Sequence, residues 1–237
     1  MIHNFYTNIT IVFKNIPNFL SLLNLIFGIL SVKYVFEYNF KLVLIFSSIS
    51  LLCDYFDGFI ARKYKLATNF GKYLDSSADM VSFGVLPGFI LMKLIDNSNL
   101  HLLSNLGFLI PLCTAIRLAK FNNSNKINFT GLPSPINSYQ FVYIAFLTQY
   151  PELTKLNFLM ETKILFFLIL LSSYLLVSNI NFFSIKKINI HQSFLIYLFF
   201  LFVIFLVIFF KLDSILLLIY LYIFLNIFLN ILKLKLF

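Results

Sequence analysis

Long apolar stretches recur along the chain, parted by short polar breaks. Two of them, ILFFLILLSSYLLV and FLIYLFFLFVIFLVIFF, are too long and too free of charge for ordinary core helices. About eight spans are predicted, at roughly 17–36, 41–61, 74–95, 101–119, 136–150, 163–181, 193–210 and 214–232. Each lies near the ~20 residues that carry a helix across ~30 Å of hydrocarbon. The expected fold class is therefore all-α, a polytopic transmembrane helical bundle. Residues 2–14, IHNFYTNITIVFK, mix aromatics with Asn and Thr, and are expected to form an interfacial helix before the first crossing.

Composition supports this reading. Of 237 residues 60% are hydrophobic and only 11% charged, with a mean hydropathy of +0.92, whereas soluble domains carry about 25% charged residues. One membrane domain over residues 1–237 accounts for the length, without internal repeat or long linker. Cys53 and Cys113 are far apart, form no CxxC, and read as small buried hydrophobes. No removable signal peptide is expected at the N-terminus.

Charge changes the picture through its placement. A net charge of +9 would suit nucleic acid, but threading the spans with the N-terminus inside sorts the basic residues by side. Twelve, among them Lys14, Arg62, Lys63, Arg117, Lys186 and Lys233, fall on the inner side, and six on the outer. That follows the positive-inside rule, so both termini are expected in the cytoplasm, in a multi-pass cell-membrane protein with no nucleic-acid partner. Glu37, Asp96, Glu152, Glu161 and Asp213 all fall outside, which leaves Asp54, Asp57, Asp75 and Asp79 as the only inner-face acids.

Those four lie within DYFDGFIARKYKLATNFGKYLDSSAD. Asp54, Asp57, Gly58 and Ala61 fall on one face near the end of the second span, and Gly71, Asp75 and Asp79 on one face at the start of the third. The short link makes these helices antiparallel neighbours, so the acidic faces can meet. An aspartate at a helix centre costs about 2.5–3.5 kcal/mol on insertion scales. Each close pair adds repulsion on the order of 4 kcal/mol at an effective dielectric of 20. Arg62 alone does not neutralise four carboxylates, whereas two divalent cations would, and carboxylate oxygens suit Mg²⁺, Mn²⁺ or Ca²⁺. A solvated acidic loop fits poorly, because the loop itself is basic. A cation-transport site fits poorly too, because such acids usually lie near mid-membrane.

The same stretch resembles the signature of the CDP-alcohol phosphatidyltransferases, D-x2-D-G-x2-A-R, eight residues, then G-x3-D-x3-D. All eight positions are present: Asp54, Asp57, Gly58, Ala61, Arg62, Gly71, Asp75 and Asp79. IPNFLSLLNLIFGILSV resembles the family's first span, while DSSADMVSFGVLPGFI, IRLAKFN with FTGLPSP, and VSNINFFSIKK resemble in particular the bacterial membrane-bound branch that makes phosphatidylserine. The likeness covers residues 16–187, with additional hydrophobic spans over 193–232. PSPINS departs from it, with Ile136 and Asn137 where that branch more often has alanines.

The resemblance implies transfer of a phosphatidyl group from CDP-diacylglycerol to L-serine, giving phosphatidylserine and CMP, with two Mg²⁺ or Mn²⁺ ions as cofactor. It implies Asp54, Asp57 and Asp75 as metal ligands, with Asp79 completing the site and acting as general base. Asp54, Gly58, Ala61, Arg62 and Gly71 would border the CDP moiety. A homodimer is likewise expected from the family. Arg117 and Lys120, in IRLAKFN, are expected in the acceptor pocket. His3, His101 and His191 lie away from the signature, and none stands in an H-x-K arrangement that would support a phosphohistidine route. Sister enzymes with glycerol 3-phosphate or inositol phosphate as acceptor share the signature, and a divalent-cation transporter is the alternative from another class.

Overall fold

The computed structural model describes residues 2–96, 101–123, 130–180, 182 and 206–232. Helix α1 runs Ile2–Phe36, α2 Phe40–Lys63 and α3 Asn69–Asp79. A π-helical segment, Met80–Val85, joins α3 to α4, Leu86–Asp96. A 3₁₀ stretch, His101–Phe108, leads into α5, Leu109–Asn123. Then come α6, Ser134–Gln149, α7, Thr162–Val177, and α8, Ser214–Ile231. Every regular element among these is helical.

Four helices are long and apolar enough to cross a membrane: Asn15–Phe36, Phe40–Lys63, Asn69–Asp96 and Leu206–Ile231, with Thr162–Val177 a shorter apolar helix. The expected count of about eight is therefore not reached among the described residues. The span expected at 101–119 begins as 3₁₀ helix, α6 has only 16 residues, and most of 193–210 lies outside the described residues. Nor is residues 2–14 a separate interfacial helix, because its backbone continues without a break into the first span.

Helix α1 shows how the chain handles an apolar surround. Phe19, Leu22, Ile26 and Ile29 are exposed, while Ser21, Asn24, Gly28 and Ser31 are buried. Both sets recur at spacings of three and four, so polar residues face the bundle and apolar ones the lipid side, the reverse of a soluble amphipathic helix. The main core lies where α4, α6 and α7 pack together, with Leu86, Ile90, Phe141, Ile144, Leu165 and Ile169 all essentially inaccessible.

The π segment has a local cause. Leu86 N–H reaches back five residues to Val81 O, and Pro87 beside it has no N–H to donate and would crowd the carbonyl four residues earlier. The widened turn accommodates that proline within one continuous helix, Asn69–Asp96. At the start of α6, the departure at Ile136–Asn137 is half-buried at Ile136 and buried at Asn137, whose Nδ2 has no hydrogen-bond partner. Asn137 is fully buried and its Oδ1 accepts from Gln140 Nε2 at 3.0 Å, which in turn donates to Ser172 Oγ at 2.8 Å.

Candidate active site

Helix α3 begins at a side-chain cap. Thr68 is extended (φ −123°, ψ 156°), and its Oγ1 accepts from Gly71 N–H at 3.0 Å. Helix α2 ends at Lys63, and the link is only residues 64–68. Both helices pack against α1 rather than closely on each other, and their acidic faces meet, as the spacing predicts. One oxygen each from Asp54, Asp57 and Asp75 lies within 4.8 Å of the others. Asp57 is 3% exposed, while Asp54 and Asp75 are half-buried.

This donor set fits a hard divalent ion. Oxygens on opposite sides of Mg²⁺ lie about 4.2 Å apart and those across Ca²⁺ about 4.6–5.2 Å, so three oxygens all within 4.8 Å of one another are close enough to gather on one hard divalent ion, with a small inward shift for Mg²⁺. Without a cation, two charges at that separation repel by about 3.5 kcal/mol at an effective dielectric of 20. Three such pairs would oppose folding by about 10 kcal/mol before screening. Asp79 stands outside the three-oxygen group, although it interacts electrostatically with all three of its members.

Two residues of α1 support these carboxylates. Ser21 Oγ donates to Asp57 Oδ2 at 2.6 Å, and Asn24 Nδ2 donates to Asp79 Oδ1 at 3.3 Å. Asn18, also on α1, meets Gly71. A Cβ there would lie 2.6 Å from Asn18 Oδ1, so a larger residue would displace the Asn18 side chain from the start of α3. None of the three was singled out from the sequence. The available signal is polar residues at helical spacing, Asn18, Ser21 and Asn24, in an otherwise apolar span.

The remaining signature residues sort by surroundings. The Arg62 guanidinium lies back over Gly58, where a Cβ would meet Nη1 at 3.0 Å, and is itself exposed. Ala61 is half-buried. Lys72 Nζ donates to Asn122 O at 2.8 Å, and the Asn122 amide pairs with Ser76 Oγ at 3.0–3.2 Å, which ties α3 to the end of α5.

The two residues expected at the acceptor pocket part company. Arg117 Nη1 donates to Ser134 Oγ at 3.0 Å, its Nε is buried without a partner, and its charge interacts with Asp79. Lys120 is exposed and its ammonium points away, toward Val177 O at 3.4 Å at the end of α7. The GLPSP turn packs against the same end of α7. Gly131 N–H donates to Ile180 O at 2.8 Å and Leu132 N–H to Leu175 O at 2.9 Å. Gly131 has φ +81° and a Cβ there would lie 2.4 Å from Leu176 O, so no other residue fits.

Comparison with known proteins agrees with this geometry. The sequence profile described as CDP-alcohol phosphatidyltransferase matches residues 14–150, which takes in α1 to α6. The chain is 39% identical over 120 residues to a CDP-diacylglycerol–serine O-phosphatidyltransferase of Methanocaldococcus jannaschii, covering 51% of this chain and 55% of that one. It is 33% identical over 162 residues to the protein of that name from Bacillus subtilis, covering 64% of this chain and 89% of that one. To the Helicobacter pylori protein of the same name it is 30% identical over 177 residues, 73% of each chain. With over half its length in the profile and its carboxylates gathered at the signature spacing, the chain belongs to the CDP-alcohol phosphatidyltransferase family.

Proposed function

We propose that this protein transfers the phosphatidyl group of CDP-diacylglycerol to L-serine, releasing CMP and leaving phosphatidylserine in the bilayer. The observation that carries the reading is the gathering of Asp54, Asp57 and Asp75 within 4.8 Å, with Asp79 beside them. Serine as acceptor is supported by the names of the relatives from three organisms. The lipid tails remain among the exposed apolar side chains while the nucleotide and serine arrive from the cytoplasm. That requires the carboxylate end of α2 and α3 to face the cytoplasm, as the distribution of Lys and Arg favours.

Asp54, Asp57 and Asp75 would hold the divalent ions, Mg²⁺ or Mn²⁺, that the family resemblance implies. When bound, such ions withdraw charge from the pyrophosphate and stabilise CMP as it leaves. The protein's own side chains do the rest. Ser21 fixes one oxygen of Asp57 and so orients the other. Gly58, Ala61 and Gly71 keep the inner faces of α2 and α3 low beside the carboxylates, where the CDP moiety would lie. Asp79 takes the proton of the serine hydroxyl as that oxygen attacks the lipid-side phosphorus. A new serine O–P bond forms, and the phosphorus–oxygen bond to CMP breaks with its electron pair leaving on CMP. Arg117, whose Nε carries no partner, would receive the serine carboxylate close to Asp79.

The test is an acceptor screen. Purified protein in detergent, supplied with CDP-diacylglycerol and Mn²⁺ or Mg²⁺, is expected to release CMP when L-serine is added. It should not do so with glycerol 3-phosphate or inositol phosphate. Release indifferent to serine would refute the acceptor, and no metal-dependent release at all would refute the enzymatic reading.

A further inference from the structure

Asp79 is held from α1 rather than from its own helix. Asn24 is completely buried, and its Nδ2 donates to Asp79 Oδ1 at 3.3 Å. Both oxygens of Asn24 are engaged as well. Ser50 Oγ, on α2, lies 2.5 Å from Asn24 Oδ1, and Ser82 Oγ, three residues beyond Asp79, donates to Asn24 O at 3.2 Å. The contact with the Asp79 carboxylate sets which end of the amide faces it. The opposite orientation would set Asn24 Oδ1 against a carboxylate oxygen, acceptor to acceptor. Ser50 and Ser82 are themselves buried, at 0% and 1% exposure.

We infer that Asn24 is a positioning residue for Asp79, occupying Oδ1 so that Oδ2 is the oxygen presented to the acceptor hydroxyl. The inference rests on the reading of Asp79 as the proton acceptor. A neutral amide suits the task, because it donates one hydrogen bond without bringing a cation that would compete with the ions beside it. A base displaced by even 1 Å from its productive position costs on the order of 10²-fold in rate. Asn24 touches no reacting atom in this scheme, and its effect passes wholly through Asp79.

The test compares wild type with Asn24→Asp and Ser50→Ala in detergent at saturating Mn²⁺. kcat, the KM for each substrate and the CMP-induced rise in melting temperature are measured for each. Asn24→Asp keeps the shape and the oxygen facing Ser50, but turns the donor toward Asp79 into an acceptor. Its kcat is expected to fall about 10–100-fold, with the KM for CDP-diacylglycerol and the CMP-induced shift within about twofold of wild type. Ser50→Ala, the milder change, is expected to lower kcat by roughly 3–10-fold with the same split. A kcat within twofold of wild type for both variants overturns the inference, as does a CMP-induced shift lost in step with kcat, which would mark Asn24 as part of the nucleotide site. A wild type that turns over with serine beside unimpaired variants sinks this inference alone. A wild type that ignores serine sinks the function beneath it.

Discussion

Replacing Asp57 by asparagine should make the metal-free protein more stable while it removes activity. The substitution keeps the shape and leaves an oxygen to accept from Ser21 Oγ, now 2.6 Å from Asp57 Oδ2. It deletes one charge from a group whose oxygens lie within 4.8 Å, and so relieves two repulsions of about 3.5 kcal/mol each at an effective dielectric of 20. Asp54 and Asp75 are half-buried, and screening reduces that upper bound to roughly 1–3 kcal/mol. For a chain of this size the gain corresponds to a melting temperature higher by roughly 2–10 °C. With metal the order should invert, because an ion at a hundred times its dissociation constant stabilises the wild type by about 2.7 kcal/mol and the variant by little. The chain has no tryptophan, so the assay is helix loss by circular dichroism in detergent, with chelator and with Mn²⁺. An equal metal-induced shift in both proteins, or a variant less stable than wild type in chelator, would refute the reasoning.

Asp79→Asn is expected to lower kcat by about 10²–10⁴-fold while sparing the CMP-induced rise in melting temperature; parallel loss of both would make Asp79 chiefly a ligand. Arg117→Lys should raise the KM for serine by roughly tenfold or more, since an ammonium lacks the planar fork, whereas Lys120→Ala should leave serine kinetics within about twofold. Steady-state titration of serine separates the two, and equal effects would refute the distinction drawn from their contacts. Gly131→Ala is expected to cost about 2 kcal/mol or more in stability, because φ is +81° and Leu176 O lies in the way. Its melting temperature should fall while the KM values hold, and an unchanged melting temperature would contradict the turn geometry.

The carboxylate site was legible because its residues carry charge through an apolar chain at helical spacing. Asp54, Asp57 and Asp75 converge as that spacing predicts. Their supports were harder to read. Ser21 and Asn24 are small neutral residues, common in membrane helices, and only the fold shows that each meets a different carboxylate. Arg117 and Lys120 sit three apart in IRLAKFN and look alike in sequence, yet one faces Asp79 and the other the end of α7. Among the described residues four of the expected crossings have a helix of sufficient length, because hydropathy registers apolar length but not whether a segment such as His101–Phe108 winds as 3₁₀ helix or α6 stops at 16 residues. The separate N-terminal helix failed for a related reason. Polar residues such as Asn15 do not by themselves break a helix, and α1 runs through them.

Helix α1 reaches Asp57 on one neighbour and Asp79 on the next through Ser21 and Asn24, about 4.5 Å apart along its axis. It thereby acts as a gauge between the two. Because Phe19, Leu22, Ile26 and Ile29 are exposed on the apolar face of a span, the tilt of that gauge would answer to the thickness of the surrounding leaflets. Sliding it by a single residue, about 1.5 Å, would stretch both bonds at once. Under the proposed function, acyl-chain length in the host membrane would be a variable of the chemistry itself, and reconstitution in thinner or thicker vesicles should tune turnover without altering a single atom of the protein.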